Sequence, residues 1–406
     1  MLSNTNVFIL GITKFDAAIE STSYTVAKFL ARKNRVFYID YPYTWKDYFL
    51  KRDAAFKKRQ SVLSFGSDGV IDTELPNLKI VIVPPLLSIN FLSEGIIYRR
   101  LLRINEFIIA NRVKQVIRKF SLKEYIFINS FNFHYPNVVK HLNASLYVYH
   151  CVDPLIVSHD VKHGRISEAM IVQSCDLIIC TSKQLFKEKK AVNPHTYFVP
   201  NAADVHHSRK ANNMNLPIHE SLLKIARPIV GYFGNIERRI DFKLLNAVVK
   251  SLPEVNFVFA GPVDKYWIPE EFQHLPNVYF IGHVPYAEMP AVLKGFNVAI
   301  IPFKKDEVSQ TIFPLKLFEY LGTGKPVIAT DFNLDLREFT FDSIPYCSDP
   351  SHFTYEIKKA LISDTNASKA NRIAIAEENS WEKRLAEISN LLAEYLSRVT
   401  AKYYSR

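Results

Sequence analysis

The sequence has only four cysteines in 406 residues, too few and too widely spaced for a disulfide framework. Cys151, Cys175, Cys180 and Cys347 form no C-x-x-C pair and no set with histidine at metal-binding spacing, so we expect reduced core cysteines. No apolar run reaches the roughly 18 residues that a membrane-spanning helix needs. The first residues, MLSNTNVFILGITKFD, lack a basic segment and a small-residue cleavage site, which predicts a first strand rather than a signal peptide.

A phosphate-binding P-loop is also missing, although the segment Gly322-Thr323-Gly324-Lys325 resembles the end of one. Glu319 stands where the first glycine of the P-loop would be, and Pro326 stands where Ser or Thr is required. The segment is instead typical of a helix stop, in which Gly322 or Gly324 adopts the left-handed conformation and Pro326 prevents continuation.

Composition predicts a folded chain of about two domains. Hydrophobic residues make up 48% of it, with 21 Tyr and 29 Phe, which excludes a disordered chain. The net charge of +11 is uneven: residues 1–205 contain 27 Lys and Arg against 17 Asp and Glu, and the remainder contains 24 against 23. A polyanion, an anionic membrane, an acidic substrate or simply a basic solvent-exposed face would each account for the excess in the first half.

Strand-like and helix-like segments alternate along the chain, which predicts an α/β fold with two Rossmann-like, doubly wound domains facing a cleft. We predict a first domain at 1–205, a second domain at 206–380, and a helix at 381–406 that crosses back to the first domain. The polar stretch 202–227 is the candidate interdomain linker. The predicted strands lie at 6–12, 35–42, 78–85, 124–130, 145–153, 176–182, 196–201, 228–236, 255–262, 278–284, 298–303 and 326–331.

The helix that follows residue 313 contains two charges in an apolar segment, PLKLFEYL. Pro314 suits the first helical position, which places Lys316 in the first turn, where a cation opposes the helix dipole. An anion docked on this helix end would account for the lysine. Glu319 lies one turn deeper on the same face and could accept two hydroxyl groups, as from a ribose. An ordinary i,i+3 surface ion pair is the alternative interpretation.

The pattern P-x-K-x-x-E-Y-x-x-x-G-K-P-V-I-A-T resembles the donor site of GT-B glycosyltransferases, especially the family-4-like, P-x-K-x-x-E/Q branch of bacterial polysaccharide enzymes. Further segments are similar to this family in the expected order, so the resemblance covers roughly residues 145–390. They are VPNAAD (199–204), GYFGNIERRIDFKLL (231–245), NFVFAGPV (256–263), NVYFIGHVPYAEMPAVLKGFNVAIIPF (277–303) and SWEKRLAEI (380–388).

This resemblance implies an enzyme that moves a hexosyl group from a nucleotide-diphosphate sugar, most simply a UDP-sugar, to a glycan or lipid-linked glycan. A GT-B nucleotide-sugar epimerase or hydrolase, or a non-catalytic nucleotide-sugar-binding scaffold, is the alternative. The chain contains no D-x-D pair, so we expect neither a bound metal nor another cofactor, the nucleotide sugar being a substrate. No nucleic-acid-binding motif accompanies the basic charge, and no nucleic-acid partner is expected.

The resemblance implies that 1–205 is the acceptor-binding domain and 206–380 the nucleotide-sugar-binding domain. It assigns Lys316 to the donor diphosphate and Glu319 to the ribose. This sequence departs from the family at Thr311, where a first glutamate is usual, and at Asn235, where an arginine is usual. Arg238 or Arg239 could supply the missing positive charge. The predicted donor-binding residues are Gly234, Asn235, Arg238, Arg239, His283, Val284, Thr311, Phe313, Pro314, Leu315 and Leu317.

The acceptor should bind the first domain. His150 and Asp153 end a predicted strand, and Asp153 is the candidate general base if the reaction inverts the anomeric centre. A cap of the next helix is the alternative for Asp153, and a core histidine is the alternative for His150. Asp16, Glu20 and Ser21 occupy the first strand-to-helix loop and are further acceptor-side candidates.

Two basic stretches in the first half contain interleaved aromatic and aliphatic residues, KDYFLKRDAAFKKRQ (46–60) and YRRLLRINEFIIANRVKQVIRKF (98–120). Such faces could lie on anionic lipid, which indicates a cytoplasmic protein that is peripheral to the inner face of the plasma membrane. An amphipathic helix packed on the domain core is the alternative interpretation.

Overall fold

The computed structural model describes residues 1–17, 21–51, 53–155 and 158–404, and these form two compact units. One unit holds residues 1–200 together with the chain from Leu385 onward, and the other holds Asn201–Arg384. The first border thus lies at 200/201 rather than at the predicted 205/206. The α/β fold class with two parallel-sheet domains is confirmed.

An eight-stranded sheet forms the centre of the first unit, in the order β3-β4-β2-β1-β5-β6-β7-β8. Neighbouring strands are parallel except for β3 and β4, which are antiparallel. The strands are β1 (Asn6–Leu10), β2 (Arg35–Ile39), β3 (Val70–Asp72), β4 (Leu78–Val81), β5 (Tyr125–Ser130), β6 (Leu146–Cys151), β7 (Leu177–Cys180) and β8 (Thr196–Phe198). The helices are α1 (Thr22–Leu30), α2 (Trp45–Leu50), α3 (Ala54–Gln60), α4 (Ile96–Lys119), α5 (Ser158–Ser174) and α6 (Lys183–Lys190).

A six-stranded, fully parallel sheet forms the centre of the second unit, in the order β11-β10-β9-β12-β13-β14. Its strands are β9 (Ile229–Phe233), β10 (Asn256–Ala260), β11 (Val278–Gly282), β12 (Val298–Ile301), β13 (Val327–Thr330) and β14 (Tyr346–Cys347). Its helices are α7 (Val205–Arg209), α8 (Phe242–Ser251), α9 (Glu270–Gln273), α10 (Met289–Gly295), α11 (Leu315–Gly322), α12 (Leu336–Thr340), α13 (Pro350–Ser363) and α14 (Asn366–Glu378).

The final helix, α15 (Trp381–Tyr404), joins the first unit from Leu385 onward. The Tyr395 hydroxyl lies 3.0 Å from His195 Nδ1 and 2.9 Å from the Tyr197 hydroxyl, and both partners belong to the first unit. Within the described ranges, no helix is long and apolar enough to cross a bilayer.

The predicted linker at 202–227 is wrong, because this stretch is a packed part of the second unit. It contains α7, and the side chains of Val205, Ala211 and Leu222 are buried in the core of that unit. The polar residues between these apolar anchors are typical of a linker, but a few well-spaced buried residues are enough to hold a chain on a core.

The chain order of the second sheet reverses between the neighbouring strands β9 and β12. At such a switch point the connections leave in opposite directions, and the carboxyl ends of the two strands frame a crevice where open α/β sheets bind ligands. The segments that follow β9 and β12 are therefore the first place to look for a site.

Candidate functional site

Three glycines mark the carboxyl ends of β9, β10 and β11. Gly234, Gly261 and Gly282 have φ angles of 144°, 141° and 75°, in the region that a side chain disfavours. A Cβ on Gly261 would collide with the carbonyl oxygen of Gly234. Only glycine allows this close approach of the two main-chain segments.

Helix α11 is attached to the end of β9 through Tyr320. The Tyr320 hydroxyl accepts a hydrogen bond of 2.8 Å from the N–H of Phe233 and donates one of 2.9 Å to the carbonyl of the same residue. Phe313, just before the helix, stacks on Phe318 with ring centroids 5.2 Å apart. These contacts fix the start of α11 above the switch point.

The ends of α11 partly match the prediction. Pro314 is the N-cap and the helix begins at Leu315, so Pro314 is not the first helical residue as predicted. The helix stop is confirmed: Thr323 follows the last helical residue and Gly324 adopts a left-handed φ of 72°. Lys325, which follows Gly324, therefore does not belong to a phosphate-binding loop.

Lys316 extends from the first turn of α11 over the switch point. Its ammonium lies 4.1 Å from the ring centroid of Tyr232 on β9 and 5.2 Å from that of Phe303, just after β12. The ammonium donates a 2.5 Å hydrogen bond to the Tyr232 hydroxyl, which donates at 3.0 Å to the carbonyl of Asn235. A Cβ on Gly234 would collide with the ammonium. The glycine thus leaves room for Lys316 against the main chain.

Burial lowers the pKa of Lys316 to about 7, and the nearby Arg239 guanidinium contributes to the same shift. Glu319 and Glu237 oppose it. Two cations held together in a partly dry site repel each other unless an anion lies between or beside them. An anionic ligand at this point would raise the pKa of Lys316 and complete its protonation.

Glu319 lies one helical turn deeper and is buried, with 8% of its surface exposed. Its Oε1 accepts a 2.7 Å hydrogen bond from the Tyr286 hydroxyl, and burial raises the pKa of its carboxyl group. Tyr286 belongs to the turn after β11, and its ring stacks on His207 with centroids 4.9 Å apart. The carboxylate thus lies beneath a half-exposed tyrosine instead of forming a surface ion pair.

Of the two candidate arginines, Arg239 is the one close enough to Lys316 to affect its pKa. The Arg239 guanidinium lies 5.7 Å from the Phe303 ring centroid and forms an ion pair with Glu237. Arg238 is exposed. The geometry therefore favours Arg239 as the second cation of this site.

Three predicted donor residues have side chains that point into the core. Val284, Phe313 and Leu317 are at most 9% exposed, so at these positions a contact with a donor would have to be made by the main chain. The Leu317 N–H already donates to the carbonyl of Pro314 at 3.1 Å, so this amide is not free for a diphosphate.

The remaining predicted donor residues lie around the same sheet edge. His283 is exposed in the turn after β11, Leu315 is half-buried, and Thr311 ends a short 3-10 turn that precedes α11. The side chain of Asn235 is exposed, and its carbonyl holds the Tyr232 hydroxyl. Their contacts with a donor remain predictions.

In the first unit, His150 is a buried, hydrogen-bonded histidine on β6. Its Nδ1 lies 3.1 Å from the Ser130 hydroxyl, which accepts a 2.8 Å hydrogen bond from the Ser23 hydroxyl. Burial lowers the pKa of His150 to about 4, so the imidazole is neutral at physiological pH. It can donate or accept a hydrogen bond, but it does not carry a positive charge.

Asp153 follows β6 by two residues, and the interpretation of this aspartate as a helix cap is wrong. Helix α5 begins at Ser158, too far along the chain for Asp153 to be its N-cap. The Asp153 side chain is exposed, yet desolvation by the surrounding protein raises the pKa of its carboxyl group. Both properties suit a general base, and its role remains a prediction.

The other acceptor-side candidates have structural partners. Asp16 forms a bidentate ion pair with Arg59 at 2.6 and 2.9 Å, and Ser21 caps α1 by accepting a hydrogen bond from the Tyr24 N–H. Glu20 lies outside the described residues. The two described side chains have local roles that would compete with binding an acceptor.

Sequence reasoning missed the tyrosines of this site. Tyr232 holds Lys316, Tyr286 holds Glu319 and Tyr320 holds the helix that carries both charges. Only Tyr320 has a local signal, because it lies at i+4 from Lys316 on the same helix face. No group of three or more His, Cys, Asp or Glu side chains with metal-site geometry occurs in the described part of the chain, and metal independence remains a prediction.

Residues 227–361 match the family described as "Glycosyl transferases group 1". This range contains the glycine-rich strand ends, Lys316 and Glu319. The predicted resemblance to GT-B glycosyltransferases is therefore confirmed on the residues that form the candidate site.

One curated relative is described as a teichuronic acid biosynthesis glycosyltransferase, TuaH, of Bacillus subtilis strain 168. It is 32% identical to this chain over 171 residues, which are 41% of this chain and 43% of the relative. The match thus covers less than half the length of either protein.

Solved structures share the fold along nearly the whole chain. Sucrose-phosphate synthase from Thermosynechococcus elongatus has a TM-score of 0.64 at 14% identity, with 97% of this chain and 100% of that chain covered. HepE of Anabaena, in complex with UDP, has a TM-score of 0.63 at 14% identity with the same coverage. At this identity the likeness shows the fold alone.

Proposed function

Because its second unit matches the glycosyl transferases group 1 family, we propose that the protein transfers a hexosyl group from a nucleotide-diphosphate sugar to a glycan or lipid-linked glycan in bacterial polysaccharide biosynthesis. The observation that carries the proposal is the Lys316 ammonium held at the switch point of the second sheet, with Glu319 one helical turn deeper. UDP is the simplest choice of nucleotide, since HepE was solved with UDP.

The chemistry requires stabilisation of the departing nucleotide diphosphate. As the bond from sugar to phosphate breaks, negative charge accumulates on the diphosphate, and fixed cations aimed at it lower the barrier. Lys316 and Arg239 supply two such charges without any reorganisation, because Tyr232 and Glu237 already hold them in place. This arrangement supports a reaction that needs no metal ion.

Glu319 is suited to the ribose, and the main chain at residues 283–284 is suited to the base. A carboxylate accepts two hydroxyl hydrogen bonds at once, and burial strengthens both. We assign acceptor deprotonation to Asp153, which requires that the enzyme inverts the anomeric centre. His150, neutral and fixed by Ser130, would position a sugar hydroxyl.

A direct test measures nucleotide release from UDP-, GDP-, ADP- and dTDP-hexoses, with and without lipid-linked glycans from a polysaccharide-producing bacterium. Release that requires the acceptor supports a transferase. Release or rearrangement with donor alone would indicate the hydrolase or epimerase, and binding without any turnover would indicate a scaffold. If none of the nucleotide sugars binds, the proposal is wrong.

Replacement of Glu319 by alanine is expected to reduce kcat/KM for the donor about 100-fold, on the scale of losing two hydrogen bonds to a charged group. The loss should lie mainly in the KM for the donor. The matched control is Glu338→Ala in the same unit, on α12 and outside the site. Equal kcat/KM values for the two variants would show that Glu319 does not bind the ribose.

Peripheral membrane association rests on exposed apolar side chains in a basic unit. Phe49 and Leu50 on α2 are 65% and 69% exposed, and Ile96 and Ile97 at the start of α4 are 74% and 70% exposed. The Lys46 N–H donates to Ser88 Oγ at 3.4 Å, which brings α2 next to the segment leading to α4. We propose that this surface rests on the cytoplasmic face of the plasma membrane.

The double variant Phe49→Ser with Leu50→Ser should bind vesicles of phosphatidylglycerol and phosphatidylcholine about tenfold more weakly than the unaltered protein. Co-flotation with vesicles measures the effect. The matched control is Tyr355→Ser with Ile362→Ser, two residues of the second unit that are 61% and 86% exposed. An equal loss in the control, or no loss in either variant, would contradict the proposed surface.

A further inference from the structure

The carboxylate of Glu319 already has a hydroxyl partner inside the protein. Tyr286 Oη donates to Glu319 Oε1 at 2.7 Å, which is the kind of contact that a ribose hydroxyl would make. Glu319 is buried and Tyr286 is 49% exposed, so the phenol lies between the carboxylate and solvent. A nucleoside that uses Glu319 must therefore compete with Tyr286 or displace it.

The surroundings of Tyr286 allow such a displacement. Its backbone is held, since His207 Nε2 lies 2.8 Å from the Tyr286 carbonyl oxygen. The Tyr286 side chain itself is 49% exposed and stacks on the His207 ring. A rotation of this side chain toward solvent would give up the stacking and release the carboxylate, and it would leave the buried core in place.

We propose that the Tyr286 hydroxyl occupies the ribose-binding position on Glu319 in the unliganded protein, and that the ribose of the nucleotide displaces it. This inference rests on the proposed function, because it takes Glu319 as the ribose ligand. It assigns Tyr286 as a positioning residue that keeps a buried carboxylate hydrogen-bonded between turnovers. Nucleotide affinity then depends on the difference in free energy between two hydrogen bonds to Glu319, one from the ribose and one from the Tyr286 hydroxyl.

The direction in which one substitution changes the affinity for UDP tests the proposal. In Tyr286→Phe the carboxylate has lost its internal partner before the ligand arrives, so UDP should bind about five- to tenfold more tightly than to the unaltered protein. Isothermal titration of the full chain measures the affinity. The matched control is Tyr266→Phe, which removes the hydroxyl of a tyrosine in the same unit that is 84% exposed. The affinity of this variant for UDP should not change.

Two further measurements separate displacement from a general structural effect. With 2′,3′-dideoxyuridine diphosphate, which lacks both ribose hydroxyls, Tyr286→Phe should bind no more tightly than the unaltered protein. In a Glu319→Ala background, Tyr286→Phe should leave UDP affinity unchanged, since the shared acceptor is gone.

Each outcome decides one question. Weaker UDP binding by Tyr286→Phe would overturn the displacement, because the hydroxyl would then assist the bound nucleotide. An equal gain with the dideoxy analogue would also overturn it. If UDP and the other nucleotides fail to bind the unaltered protein, the proposed function fails instead, and the two failures are thereby distinguished.

Discussion

Replacement of Lys316 by alanine is expected to lower kcat for sugar transfer about 100- to 1,000-fold, the scale of losing one preorganised charge that faces the leaving group. The ammonium is one of two cations at the end of β9, and Arg239 cannot take its place because the ion pair with Glu237 holds the guanidinium at its own position. Acceptor-dependent release of the nucleotide measures the effect. The control is Lys358→Ala, an exposed lysine on α13.

The pH dependence of donor binding gives a second readout of the same residue. Since the pKa of Lys316 is about 7, the lysine loses its charge as pH rises through neutrality, and binding of the diphosphate should weaken over that range. A nucleotide sugar is the right probe, because its diphosphate is esterified at both ends and does not titrate there. The Lys316→Ala variant should show no such dependence. A pH-independent affinity in the unaltered protein would contradict the assignment.

Asp153→Asn is expected to reduce transfer by as much as about 10,000-fold if the enzyme inverts, the upper range for losing a general base. Asparagine keeps the shape of the side chain but cannot accept the proton of the acceptor hydroxyl. The control is Asp160→Asn in the first turn of α5. Nuclear magnetic resonance of the product establishes the anomeric configuration.

The pH profile of kcat/KM is a second test of Asp153 as the general base. A base must be deprotonated to act, and desolvation raises the pKa of Asp153. The acid limb of the profile should therefore lie at higher pH than for an ordinary aspartate, with activity falling as pH decreases through it. An inverting enzyme with full activity in Asp153→Asn would exclude this residue as the base.

The strands of both sheets were predictable because parallel strands are covered on both faces and appear as continuous apolar runs. β1 and β9 are examples, since four of the five residues in each are buried. β3 was not predictable, because two of its three residues are only partly buried and the third is exposed, and β14 has only two residues. The stretch 202–227 was misjudged because a few buried side chains do not stand out among polar neighbours.

Within the candidate site, the sequence predicts which residues share a face of one helix. It does not predict contacts between segments that are far apart in the chain. Lys316 and Glu319 are i,i+3 neighbours, so their common face follows from helix geometry alone. The contact between Tyr286 and Glu319 joins the turn after β11 to helix α11 across 33 residues of sequence, and no local pattern specifies it. The choice between Arg238 and Arg239 likewise depends on how the chain turns after Gly234.

The glycines at the ends of β9, β10 and β11 also limit how this protein could be made more robust. Replacing glycine by alanine usually stabilises a protein, because it restricts the unfolded chain. At Gly234 and Gly261 the same change would force a disfavoured backbone angle and a collision, at Gly234 with the ammonium of Lys316. The change would therefore lower the stability of the fold at both positions and would also disturb Lys316 at Gly234, so thermostable variants should be sought in other parts of the chain.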